Sequence, residues 1–167
     1  FGVAVTAAGV VWVADAGNHK IRRITAAGVV TTIAGSSAGY SNGQGSAAKF
    51  NYPIGVAIDG NGSLIVADYN NNRIRRVTAN GLVSLVAGSG TAGYLDGAAT
   101  AARFNRPWSV ATGPSGRIYV GDRYNYRVRV ITADGLVSRL AGTGSASYTN
   151  GDGLSQARFR SVLGVAV

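Results

Sequence analysis

The chain has no cysteine, no glutamate and no methionine, and only one histidine, His19. Without cysteine there is no disulfide framework, no thiolate zinc site and no cysteine nucleophile. One histidine cannot supply a histidine-rich metal centre, nor a base repeated from unit to unit. Nothing in the sequence points to a cofactor. No apolar run approaches the roughly 20 residues of a membrane span. No segment of 10–15 residues holds a 3.6-residue apolar period, so helical repeats are excluded. Acid is scarce as well: 7 aspartates face 16 basic residues, 14 of them arginine, for a net charge of +9. What remains is 46% hydrophobic and only 14% charged, with 25 glycines in 167 residues. That is the composition of a folded, turn-rich chain rather than of a disordered one. A chain that opens on Phe1 and lacks methionine is expected to be a processed product or part of something longer.

Three cassettes organise the chain: VADAGNHKIRRIT at 13–25, VADYNNNRIRRVT at 66–78 and VGDRYNYRVRVIT at 120–132. A second marker, GVAV at 2–5, returns as GVAI at 55–58, SVAT at 109–112 and GVAV at 164–167. Each unit reads as a small-residue strand, a glycine turn and a second strand ending in Asp. A short loop, a third strand, a tight turn, a fourth strand and a long loop follow. Four short strands rich in β-branched residues per repeat of about 50 residues predict four-stranded antiparallel propeller blades. The expected blades cover about 1–53, 54–107 and 108–162, with 163–167 as the inner strand of a fourth. Three blades do not comfortably close a ring. The rest of a longer, six-bladed chain or else a second copy is therefore expected to complete it.

The set GVAV, VAD, N, RIRR, T, G and AG, followed by GYxDG and A-R-F-N-x-P, resembles NHL-repeat β-propellers along essentially the whole chain. The third unit departs from it: Ser109 replaces the strand glycine, and the F-N-x-P element becomes Phe159-Arg160-Ser161-Val162. The resemblance implies a propeller, usually of six blades. It also admits RNA binding, which some members perform.

Several motifs have a plain structural reading. Asp15/Asn18, Asp68/Asn71 and Asp122/Asn125 suit hydrogen bonding to turn backbone. The basic residue five places after each Asp (Lys20, Arg73, Arg127) is expected across the hairpin as its ion-pair partner. GSGTAG at 88–93 matches G-x-G-x-x-G, but no room for a long helix follows, so a dinucleotide site is not expected. The acidic position in Tyr94-Leu95-Asp96-Gly97 is Asn42 and Asn150 in its sister loops, which argues for a turn rather than a calcium loop. His19 has no repeated counterpart and no G-x-S-x-G elbow to serve. Asn61-Gly62-Ser63 is a formal glycosylation sequon in a turn.

The remaining signal is a basic loop face. In propeller blades the loop between strands two and three opens on the same face as the long interblade loop. Lys20, Arg73, Arg123 and Arg127 fall in the first set. Lys49, Arg103, Arg106, Arg158 and Arg160 fall in the second. Tyr52, Tyr69, Tyr124, Tyr126 and Trp108 interleave with them. The reading is a non-enzymatic binding or scaffold module that contacts a protein partner through this face. Two alternatives stay open: RNA or another polyanion, and a structural subunit of an extracellular assembly.

Overall fold

β-Branched runs broken by glycine fold here as strands, and the only helical pieces are 3-10 turns of three residues. The computed structural model describes residues 1–167. Blade one holds strands Val3–Val5, Val11–Asp15, Lys20–Ile24 and Val30–Ala34. Blade two holds Pro53–Ile58, Leu64–Asp68, Arg73–Val77 and Leu82–Ala87. Blade three holds Pro107–Thr112, Ile118–Asp122, Arg127–Ile131 and Leu136–Ala141. Within each blade the strands pair antiparallel in chain order.

Side chains alternate across a strand, and the blades use both faces. In blade two, Leu64 and Val66 pack towards blade one with Trp12, Ile21 and Phe50. Their neighbours Ile65 and Ala67 pack towards blade three with Val110, Val120 and Phe104. That strand is buried along its whole length, its four apolar residues and the closing Asp68 alike. The inner strands approach at backbone contact. A Cβ on Gly55 would lie 2.5 Å from the Trp108 carbonyl oxygen and 2.7 Å from the Ser109 Cα. Small residues are therefore required there.

Two features differ from the expected blade. The long loop is not merely a connector. Its residues Gly43–Gln44 pair with Leu82–Val83 on the outer strand of blade two, and Gly97–Ala98 pair with Leu136–Val137 on that of blade three. Blades two and three are thus five-stranded, each receiving an edge strand from the blade before it. Two-residue strands leave no alternation to read in a sequence. Residues 163–167, expected as an inner strand, form no strand ladder. An inner strand needs a second strand beside it, and these residues have none. Leu163 nevertheless lies at the axis with Phe1, Ile54 and Trp108, the residues that precede the same tetrapeptide in the other repeats.

Each fourth strand also carries a bulge. Ile74 pairs with Ala87 while Arg75 pairs with Leu85, and the same slip occurs at Ile21/Arg22 and Val128/Arg129. A bulge at one place in every blade re-aims the arginine beside it.

Candidate functional site

Each cassette loop turns through a three-residue 3-10 segment, closed by a residue in left-handed conformation: His19, Asn72 or Tyr126. The turn Asp and Asn hold the loop and also bind the preceding blade. Asp68 accepts from Asn71 Nδ2 at 2.8 Å and, through its other oxygen, from the Asn51 backbone N–H at 2.8 Å. Asp122 does the same with Asn125 and Asn105. Asn71 and Asn125 reach further back, to the carbonyls of Gly39 and Gly93. Asp15 and Asn18 pair with each other in blade one.

The ion pairs fall elsewhere than expected. Asp68 stands across the ladder from Arg73 but bonds Arg75, at 2.9 Å with both side chains fully buried. Asp122 bonds Arg129 at 3.0 Å, and Asp15 bonds Arg22 at 3.4 Å. The pairing is therefore with the residue seven places on, not five. Two residues along a strand keep the same face, and the long arginine reaches back along it. Arg75 also donates to the Lys49 and Ser41 carbonyls and to Asn42 Oδ1, between the rings of Tyr40 and Phe50. Arg129 repeats this with the Arg103 and Leu95 carbonyls, Asp96, Tyr94 and Phe104. The loop position read as a turn, Asn42 or Asp96, is thus a partner of the buried guanidinium. Burial pushes the Asp68 and Asp122 carboxyls above their ordinary value, Asp122 to about 6, against the pull of their donors and arginines. Burial likewise draws Arg75 down.

Arg73 and Arg127 are also occupied. Arg73 lies 3.7 Å from the centroid of Tyr40 and donates to the Ser89 and Asn71 carbonyls. Arg127 stacks on Tyr94 at 3.9 Å and donates to the Thr143 and Asn125 carbonyls. His19 accepts the Tyr52 N–H at Nδ1, 3.1 Å away, as Asn72 Oδ1 accepts the Arg106 N–H at 2.9 Å. The single histidine therefore holds two blades together. Residues 88–93 lead into the Gly97–Ala98 strand and not into a helix, and Gly90 lies against the Arg73 guanidinium.

Lys20, Lys49, Arg103, Arg106, Arg123, Arg158 and Arg160 have no carboxylate within ion-pair distance. Five of the seven aspartates (15, 59, 68, 96 and 122) are in ion pairs. Asp134 sits in the turn between strands three and four, at the opposite end of its blade, and Asp152 caps its own loop. The face thus carries seven unpaired cations and no unpaired carboxylate near the axis. Phe1, Tyr52, Tyr69 and Trp108 form one ring cluster there, with centroids 5.6–6.2 Å apart. Tyr124 joins it through Arg106 and Arg123. Tyr126, Arg158 and Arg160 line an open cleft of about 560 Å³ on blade three with Tyr148 and Phe159, and Arg123 and Tyr124 form the wall it shares with the cluster. The sequence reading missed the Asp-to-Arg spacing of seven, although it recurs in all three cassettes. It also missed Phe1, although Ile54, Trp108 and Leu163 stand at the same place before the repeated tetrapeptide.

Nothing in this arrangement gathers a metal: no three His, Cys, Asp or Glu side chains come together. A model of the NHL repeat matches residues 50–77 and 104–131, which span the last loop segment, the inner strand and the cassette of blades two and three. Chicken NHL repeat-containing protein 2 is 37% identical over 108 residues, covering 62% of this chain and 15% of its own length. The chain thus spans a minor part of that relative. A protein of unknown function from Bacteroides thetaiotaomicron VPI-5482 superposes with a TM-score of 0.79 at 22% identity, over 96% of this chain and 40% of its own. Virginiamycin B lyase from Staphylococcus aureus superposes with a TM-score of 0.57 at 20% identity, over 82% and 39%. The same fold thus serves an enzyme elsewhere, so the fold alone decides nothing about catalysis. The chain thus carries NHL repeats in blades two and three, set in a β-propeller fold that it shares with these structures.

Proposed function

We propose that the chain is a non-catalytic binding module that takes an acidic segment of a protein partner on its loop face. The observation that carries this is the charge balance of that face: seven unpaired cations against four ion-paired aspartates and one unpaired, Asp152, which caps its own loop. Such a surface attracts and orients an acidic partner and repels a basic one. RNA is the weaker reading. Base stacking needs open ring faces, whereas Tyr69 is buried and Trp108 carries Arg123 on its ring. The non-catalytic reading is supported by His19, Asp68 and Asp122, each of which is bonded across a blade junction rather than gathered into a catalytic set.

The test is a fluorescence-anisotropy titration at about 0.15 M salt, with a labelled 12-residue peptide of alternating Glu and Ser and a labelled 12-nucleotide oligouridylate. Two charge reversals of exposed arginines are compared: Arg103→Glu on the loop face and Arg117→Glu at the opposite end. The reading expects Arg103→Glu to weaken the peptide about tenfold and Arg117→Glu less than about twofold. Equal effects, or oligouridylate bound more tightly than the peptide, overturn it.

A further inference from the structure

Comparing equivalent positions in the three blades separates the scaffold from what is built on it. Asp, Asn and the interior Arg recur in every cassette. The positions beside them do not: Ala16, Tyr69 and Arg123 are equivalent, as are Gly17, Asn70 and Tyr124, and as are Tyr52, Arg106 and Ser161. Blade architecture therefore does not demand Tyr69, Arg106, Arg123 or Tyr124. Yet these four meet at the junction of blades two and three. Arg106 lies 5.6 Å from the Tyr69 ring centroid and 5.4 Å from that of Tyr124. Arg123 lies 5.0 Å from the Tyr124 centroid and 4.4 Å from that of Trp108, and its Nη1 is 3.5 Å from the Tyr69 hydroxyl. Two guanidinium groups and two phenols, all hydrogen-bond donors, share one place with no carboxylate among them.

The backbone beneath them is held. Arg106 is in left-handed conformation (φ 52°), its N–H fixed by Asn72 Oδ1. Arg123 opens the 3-10 turn of blade three, and the next N–H, of Tyr124, is bound to the Asn105 carbonyl. Arginines already stacked on rings lose less freedom on binding, so the donors are pre-organised. The left-handed turn belongs to the scaffold, since the equivalent Tyr52 adopts it too (φ 59°); what is particular to Arg106 is the guanidinium it carries there.

We infer that Tyr69, Arg106, Arg123 and Tyr124 form a receptor for a single oxyanion carried on a side chain of the partner protein. This rests on the loop-face reading and adds to it the place and the chemistry of the central contact. Paired guanidinium forks suit planar or tetrahedral oxyanions, so both a glutamate carboxylate and a phosphoserine satisfy the chemistry. The local field agrees: hydrogen bonding to Tyr69, and then the charges of Arg123 and Arg106, draw the Tyr124 phenol below its ordinary value.

The experiment is a ¹⁵N–¹H NMR titration of the chain with two blocked tripeptides, acetyl-Gly-Glu-Gly-amide and acetyl-Gly-phosphoserine-Gly-amide, and with trinucleotide uridylate. Saturable shifts confined to the amides of 69–72, 105–106 and 122–125 are expected with at least one peptide, and the tighter of the two identifies the oxyanion's source. Arg106→Gln and Arg123→Gln should each weaken it at least about fivefold and Tyr124→Phe about twofold to threefold. Lys49→Gln, on the same face at the other interblade loop, should change it less than about twofold. Equal loss in Lys49→Gln sinks the receptor while leaving the acidic-partner face standing. No saturable shift with either tripeptide, while the 12-residue peptide still binds, also sinks the receptor alone. Uridylate bound more tightly than both tripeptides overturns the receptor and the protein-partner reading together.

Discussion

Arg73 and Arg75 lie two residues apart on one strand and face the same way, yet their loss should cost very different amounts. Arg75→Ala leaves the fully buried Asp68 carboxylate without its cation and takes the donors from the Lys49 and Ser41 carbonyls. Breaking a buried pair from one side costs about 3–5 kcal/mol, and water entering the vacated space offsets part of the carbonyl loss, so we expect about 4–5 kcal/mol. Arg73→Ala removes no ion pair. It gives up a 2.7 Å bond to the Ser89 carbonyl, a longer one to Asn71 and the stacking on Tyr40. That amounts to about 1–2 kcal/mol. Urea unfolding at pH 7, followed by tryptophan fluorescence, reads the difference. With a slope of about 2 kcal/mol/M, the midpoint should fall by about 2 M for Arg75→Ala and by less than about 1 M for Arg73→Ala. Because Arg75→Ala could consume much of a typical domain's stability, Arg75→Lys serves as a milder companion. It keeps a charge near Asp68 but loses the fork that spans Ser41 and Asn42, and should fall between the other two. Equal costs at 73 and 75, or a larger cost at 73, would refute the assignment of the pairing to the seventh residue.

Further outcomes follow from the same geometry. Gly55→Ala sets a methyl against the Trp108 carbonyl and the Ser109 backbone, so it should lower stability by about 1–3 kcal/mol in the same assay; a neutral result would mean the inner strands can part freely. Asp122, raised from 3.8 to about 6 in the fold, contributes stability that is complete below about pH 4 and is lost as pH rises through 6. Subtracting the pH profile of Asp122→Asn from that of the native chain should therefore reveal a decline of about 3 kcal/mol between pH 4 and 7; a rise over that window would reverse the argument. His19→Asn, which installs the acceptor blade two already uses at Asn72, should keep stability within about 0.5 kcal/mol, while His19→Ala loses about 1 kcal/mol; similar losses would show the Tyr52 bond to be immaterial. We propose that residues 163–167 open a fourth blade, so a polypeptide of these 167 residues should self-associate through the exposed Phe1, Val3, Val5 and Val30 of blade one. Sedimentation velocity showing a monomer up to about 0.1 mM would count against that closure.

The repeat period, four strands per unit and the β-branched runs broken by glycine were enough to define blades, because each is a local property and recurs three times. The composition alone set aside thiol chemistry and histidine metal centres. The tertiary structure decided what required two blades at once. The partner of Asp68 could not be read from the hairpin, since Arg73 and Arg75 share a face and only the bulge at Ile74/Arg75 and the rings of Tyr40 and Phe50 bring the second one inward. The two-residue edge strands are too short to leave a pattern, and their partners lie about 40 residues ahead. Arg73 and Arg106 look alike in a sequence. One is spent on Tyr40 and backbone carbonyls, while the other stands on the loop face beside Tyr69 and Tyr124, because the fold brings the end of one interblade loop against the cassette of the next.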